Sequence, residues 1–256
     1  MSRSLVSRPA AEVVTGLGTI LGVWAHPDDE AYLSGGLMAA AVDAGSRVVC
    51  VTATRGELGA ADPDAWPPIR LAAVRETELS ASLEVLGVTE HHQLGYPDGS
   101  CTEVPVGQAV GRIARFIGQV RPDTVLTFGP DGMTGHADHR AVSTWATAAV
   151  ARTPAPRQPR LLYATTIVGW ADRFESLNRV LGIYPPGLPP RVALADVAFD
   201  LALPDDLLDR KVAALVAQAS QVAPLVEMMG AEEFRAWVAN ECFRPAPPSL
   251  SAARHR

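Results

Sequence analysis

Short runs of apolar residues alternate with longer helix-patterned segments through the first two-thirds of the chain. That alternation restricts the fold more than any other feature. Strand-like runs cover residues 19–24, 47–53, 124–128 and 161–167, and helical patterns cover 35–44, 69–86, 106–120 and 137–150. Gly45, Gly87 and Pro122 stand at or just past three of the helical ends, where a left-handed residue or a proline stops a helix. Strand–helix–strand succession implies right-handed crossovers and a mostly parallel α/β sheet. Strands rich in Val, Ile and Leu, without polar alternation, imply a sheet covered on both faces. In such sheets ligands bind beyond the carboxyl ends of the strands.

The last third is less regular. Residues 172–190 read as loop, because Tyr184-Pro185-Pro186-Gly187-Leu188-Pro189-Pro190 cannot form a regular helix. A further strand is expected at 197–201, with helices over 205–221 and 224–240. The expected organisation is an N-terminal extension (1–18), a single domain (19–243) and a disordered tail (244–256) too poor in apolar residues to pack. Gly16-Leu17-Gly18 precedes a strand instead of following one, so it is no dinucleotide signature.

Composition narrows the class of partner. The formal net charge of -6 argues against nucleic acid. The three cysteines, Cys50, Cys101 and Cys242, are far apart, which gives neither a disulfide framework nor a thiolate metal site. No signal-peptide pattern opens the chain, and no apolar run approaches the ~20 residues of a membrane span. A soluble cytoplasmic protein is the expectation.

The chemistry concentrates in two segments. Ala25-His26-Pro27-Asp28-Asp29-Glu30 follows the first strand. An imidazole and adjacent carboxylates crowded together repel unless a proton or cation shares the site. Gly135-His136-Ala137-Asp138-His139-Arg140 follows the third strand-like run and opens a helix. His136 and His139, three apart, share one face of that helix start. His26, Asp29 and His139 together offer two imidazoles and a carboxylate, the protein share of a catalytic zinc site with a position open for water. Asp28 is then the spare carboxylate that takes the water's proton. His136 is the spare imidazole, stabilising an oxyanion or protonating a leaving amine. Asp138 is placed to support an imidazole from behind. Singly, each has a plainer reading: Asp28 or Asp29 as a helix N-cap, His136 as a surface histidine. His91 and His92 are read as structural. The coincidence of both segments at strand ends favours the chemical reading.

These two motifs resemble the signatures of the LmbE-like, or PIG-L, deacetylases. That family includes the N-acetylglucosaminyl-phosphatidylinositol de-N-acetylases and the mycothiol-pathway deacetylase and amidase. The likeness runs from about Thr19 to Arg244. Weaker agreement comes from Thr52–Glu57, Arg75–Leu79, Leu94–Gly99 and Glu241–Arg244. The resemblance implies a Rossmann-like three-layer sandwich and zinc-dependent hydrolysis of an N-acyl group from a small amino sugar or sugar conjugate. It implies the same roles for His26, Asp29, His139, Asp28 and His136, and adds Arg75 and Asp98 as substrate contacts. An amidase on a larger cysteinyl conjugate, or a silent metal-bearing binding module, are the rival readings. Two imidazoles and a carboxylate also suit Fe(II) or Co(II). Two departures from the family pattern stand out. Met133-Thr134 lies where an aromatic hydroxyl is common, and Gln218 where a histidine is common. Both bear on the substrate more than on the reaction. The proline-rich 184–190 stretch is expected to line either the active site or a contact in a homo-oligomer.

Overall fold

The computed structural model describes residues 10–60 and 62–247. In chain order the first half contains α1 (Ala10–Thr15), β1 (Ile20–Trp24), α2 (Asp29–Asp43), β2 (Val48–Thr52), α3 (Pro68–Leu86) and β3 (Glu90–Gln93). Next come α4 (Val106–Val120), β4 (Thr124–Phe128), α5 (Ala137–Ala151), β5 (Arg160–Thr165), α6 (Val168–Arg173) and α7 (Glu175–Leu181). The chain closes with β6 (Phe199–Ala202), α8 (Asp205–Val216), α9 (Ala219–Met229), α10 (Ala231–Trp237) and β7 (Asn240–Pro245).

The strands form one sheet in the order β3-β2-β1-β4-β5-β7-β6. The first five are parallel, and β7 runs antiparallel to both β5 and β6. Every residue of β1, β2 and β4 is buried, as expected of central strands covered on both faces. From β1 the chain winds outward through β2 and β3, then returns to place β4 and β5 on the other side. The order therefore reverses between β1 and β4, and a crevice opens beyond their carboxyl ends. The loops leaving those two ends carry the two histidine motifs. This is the α/β, Rossmann-like sandwich that the alternation and the resemblance imply.

Several expectations need correction. The segment expected as an N-terminal extension contains α1, which buries Val13 and Val14; residues 1–9 lie outside the described part. Arg244 and Pro245, expected in the tail, belong to β7, and the Ala246 amide donates to Leu161 O at 3.0 Å. Residues 248–256 of that tail lie outside the described part. α2 starts at Asp29, six residues before the expected helix, so two of the motif's carboxylates sit in a first helical turn, favourable against the helix dipole. The 172–190 stretch, read as loop, contains the end of α6 and all of α7. The helix expected over 205–221 breaks at Ala217-Gln218, giving α8 and α9.

The layer above the crevice is held by a buried ion pair. Lys211 of α8 meets Glu241 of β7 at 2.9 Å, both side chains fully buried. The Glu241 carboxylate also accepts the Gly36 and Leu37 amides of α2 at 2.8 and 2.7 Å. Gly36 has no room for a side chain, since a Cβ there would stand 2.4 Å from Leu203. Among the described residues no single helix is long and apolar enough to cross a membrane.

Candidate active site

The β1–α2 and β4–α5 loops bring their functional groups to one point. His26 Nε2 lies 3.0 Å from Asp98 and 3.3 Å from Asp138, which fixes its proton on that side and leaves Nδ1 bare. His139 Nδ1 donates to Gly132 O at 2.9 Å, which leaves its Nε2 bare. The two bare nitrogens face each other at 3.1 Å. The Asp29 carboxylate completes the triangle, with Oδ1 3.4 Å from His139 Nε2 and Oδ2 3.6 Å from His26 Nδ1. Oδ2 is aimed by the His26 and Ala25 amides, which donate to it at 2.7 and 3.2 Å.

Two lone pairs and a carboxylate this close require a proton or a cation between them. Without a metal the site resolves this with a proton. Burial works to lower His26, but the hydrogen bonds to Asp138 and Asp98 and the Asp29 charge prevail and push it up to about 10. Burial keeps His139 below the ordinary histidine value. The His26–His139 donor edge of 3.1 Å lies close to the ~3.3–3.4 Å edge of a tetrahedron with bonds of about 2.0–2.1 Å, and Asp29 turns one oxygen toward each imidazole. The residues present therefore fit a divalent metal. A ring nitrogen of His136 also falls within 4.8 Å of those of His26 and His139.

Asp28 stands beside this triangle on a strained backbone, φ 105°, in the left-handed region that a non-glycine residue rarely adopts. Glu30 Oε2 accepts its amide at 3.1 Å, and Arg75 Nη2 binds its Oδ2 at 3.1 Å and the Pro27 carbonyl. Burial raises the Asp28 carboxyl and outweighs the pull of Arg75, leaving it at about 7. Arg75 Nη1 donates to Gly56 O at 2.8 Å, and the guanidinium occupies the space a Cβ at Gly56 would take. Gly56 also has φ +66°, a second reason for glycine there. Arg75, expected to touch substrate, is thus committed to the loop that carries Asp28. Asp98, also expected to touch substrate, binds His26 and accepts the Leu58 amide at 2.9 Å. Burial opposes ionisation of Asp98, yet the His26 hydrogen bond and charge bring it down to about 2.

His136 caps α5, its Nδ1 accepting the Asp138 amide at 3.2 Å. That bond leaves Nε2 as the ring's donor nitrogen. Asp138 is fully buried and also accepts the Gly99 and Cys101 amides at 2.8 and 3.0 Å, tying the Asp98 loop to the His26 ring. Thr134 Oγ1 sits 3.3 Å from His139 Nδ1, behind the ring and in no position to replace a phenol. Two other phenols, Tyr32 and Tyr184, line the cavity over the site. Glu30 closes the first motif. It is fully buried, with burial holding it at about 8, and it binds Gln218 Nε2 at 2.9 Å. Gln218, expected to bear on substrate, is thus a buried support reaching Glu30 and Ser82. Glu30 was visible as the motif's third acid. Its partner 188 positions away carried no signal.

The family profile described as "PIG-L: GlcNAc-PI de-N-acetylase" matches residues 21–150. A 1D-myo-inositol 2-acetamido-2-deoxy-alpha-D-glucopyranoside deacetylase of Nakamurella multipartita is 33% identical over 266 aligned positions, covering 89% of this chain and 86% of that protein. One of the same name from Kineococcus radiotolerans is 37% identical over 148 residues, 47% of this chain and 41% of that protein, so this match spans less than half of the relative. Among solved structures, the N,N'-diacetylchitobiose deacetylase of Pyrococcus horikoshii aligns with a TM-score of 0.63 at 21% identity, covering 93% of this chain and 90% of that one, a likeness of fold. With a profile over half its length and a 33% identical relative along 89% of it, the chain belongs to the PIG-L, or GlcNAc-PI de-N-acetylase, family.

Proposed function

We propose that this chain is a metal-dependent hydrolase that removes an N-acyl group, in the first instance acetyl, from an N-acetylglucosamine-type sugar conjugate. The observation that carries the reading is the facing pair of bare imidazole nitrogens at 3.1 Å, closed by Asp29, with a raised carboxyl next to it. The printed activities of the relatives support the same class of reaction. His26, Asp29 and His139 would hold the metal, zinc by donor type. When bound, it polarises the amide carbonyl and makes water a nucleophile near neutral pH.

The remaining work falls to this chain's own side chains. Asp28 accepts the attacking water's proton; burial raises its carboxyl above the ordinary value, which suits a base that must take up a proton and give it back. Arg75 holds one of its oxygens and keeps the strained turn in place. His136, whose Nδ1 accepts the Asp138 amide, turns Nε2 as a donor to the oxygen that gains charge. The imidazolium form would cost it the bond from the Asp138 amide. The proton delivered to the leaving amine is therefore the one Asp28 took up. Asp98 and Asp138 keep the His26 tautomer and ring angle fixed.

Metal analysis with an acetate-release assay on N-acetylated amino sugars tests this. Asp28→Asn is expected to retain metal and lose at least roughly 100-fold in kcat. His139→Ala is expected to lose the metal, and chelation to abolish activity. Equal metal loss in both variants would sink the division of roles. Failure of the metal-replete chain to release an acyl group from any such sugar would sink the activity.

A further inference from the structure

The cavity over His26 and His139 measures about 920 Å³, at the upper end of small-molecule sites. Its wall is unusual for a site that takes a bare sugar. Three of the chain's five tryptophans (Trp66, Trp170, Trp237) and two of its four tyrosines (Tyr32, Tyr184) line it. They come from separate segments: the loop before α3, α2, and the region from α6 to α10. Rings gathered from such distant parts of the chain make a deliberate apolar surface.

Charge points the same way. Arg75 is the one Lys or Arg among the described lining residues, and its guanidinium already holds Gly56 O, Pro27 O and Asp28. Asp62 and Asp200 add carboxylates to the wall. Away from the metal site, a phosphate or carboxylate on the substrate would find no uncommitted Lys or Arg among the described lining residues. Within the wall, the buried hydroxyls of Tyr32 and Thr165 have no protein partner.

Resting on the hydrolase reading above, we propose that the amino sugar taken by this site carries an uncharged apolar substituent at least as large as a phenyl ring. The substituent packs on the tryptophan and tyrosine faces. The apolar bulk can sit on the aglycone or in the acyl chain, and the assay separates the two.

The metal-replete full chain is assayed with N-acetylglucosamine, its phenyl glycoside, N-octanoylglucosamine and N-acetylglucosamine 1-phosphate. At least one apolar substrate is expected to exceed N-acetylglucosamine in kcat/KM by roughly tenfold or more, the gain that burying a ring's apolar surface supplies. The 1-phosphate is expected to fall below it. Trp66, half-buried on its loop, can be removed without opening the core. Trp66→Ala is expected to reduce the apolar preference at least threefold, through KM more than kcat. Four rates within twofold of one another, or a preference for the phosphate, would overturn the proposal. Binding of phenyl glucoside, which has no amide, is read separately by tryptophan fluorescence. If no sugar is hydrolysed but phenyl glucoside binds at least tenfold more tightly than glucose, the apolar subsite stands and the hydrolase reading falls. Equal binding of the two overturns the subsite.

Discussion

At the scale of the residue, the decisive quantity is where Asp28 titrates. Burial lifts it to about 7 against the opposing pull of Arg75. Removing the guanidinium should lift it further, because the carboxylate then loses the charge that most opposes its burial. A base works deprotonated, so the acid limb of the kcat–pH profile in Arg75→Met should move to higher pH than in the parent. An unchanged limb with lower kcat would mean that Arg75 acts only through the backbone of the Pro27-Asp28 turn. The motif made Asp28 conspicuous in the sequence, and spacing linked His26 to His139. Of the partners that set the pKa values, Asp138 stood between the two histidines as a candidate support for an imidazole, whereas Arg75 and Asp98 entered only through the family resemblance, as substrate contacts. Arg75 sits 47 positions from Asp28 on the face of another helix, and nothing in its local pattern distinguishes it from a solvated arginine.

Among the elements, the central layers were legible and the periphery was not. β1, β2 and β4 are uniformly apolar because both faces are covered, so periodicity marks them. β3 reads Glu-His-His-Gln and sits at the sheet edge, where apolar residues are not required. β7 was hidden by the helix-like run before it and by the prolines after it. The α8–α9 break has its cause in Gln218, which turns inward to Glu30 and Ser82 instead of continuing the helix. Lys211 was likewise unreadable as a buried cation, for it lies in an ordinary helical stretch. It joins α8 to β7, and through Glu241 to α2. Lys211→Met should destabilise the fold by about 3–5 kcal/mol, since Glu241 would stay buried without its cation. Urea unfolding measures this; a loss below about 1 kcal/mol would show that the two α2 amides alone satisfy the carboxylate.

For the whole molecule, the acid–base balance of the site sets how stability responds to pH. In the metal-free chain, burial raises Asp28 to about 7 and Glu30 to about 8, and the net effect of its carboxylate partners raises His26 to about 10. The folded chain thus keeps protons that the unfolded chain releases. The contribution of the two carboxyls is complete near pH 4 and that of His26 below about 6.5; each is lost as pH climbs through the folded value. Asp98, held at about 2, works in the opposite sense and matters only in strong acid. His91 and His139, which burial holds below the ordinary histidine value, offset the carboxyls up to about pH 6.5, so the melting temperature of the metal-free chain should fall from about pH 6.5 to pH 9, and Glu30→Gln should flatten the slope. A flat or rising curve in the parent would contradict the proton-filled site. Added metal should raise the melting temperature most at the alkaline end, where it no longer competes with those protons.

β1 and β4 are neighbours in the sheet, yet the two histidines they deliver lie 113 positions apart. A ribosome adding about 5–20 residues per second needs on the order of ten seconds to extend the chain from one to the other. Through that interval His26 and Asp29 offer an incomplete set of donors. On the hydrolase reading, the full donor set exists only after the chain has crossed back over its first strand, so a metal would lock a topology already drawn instead of templating it.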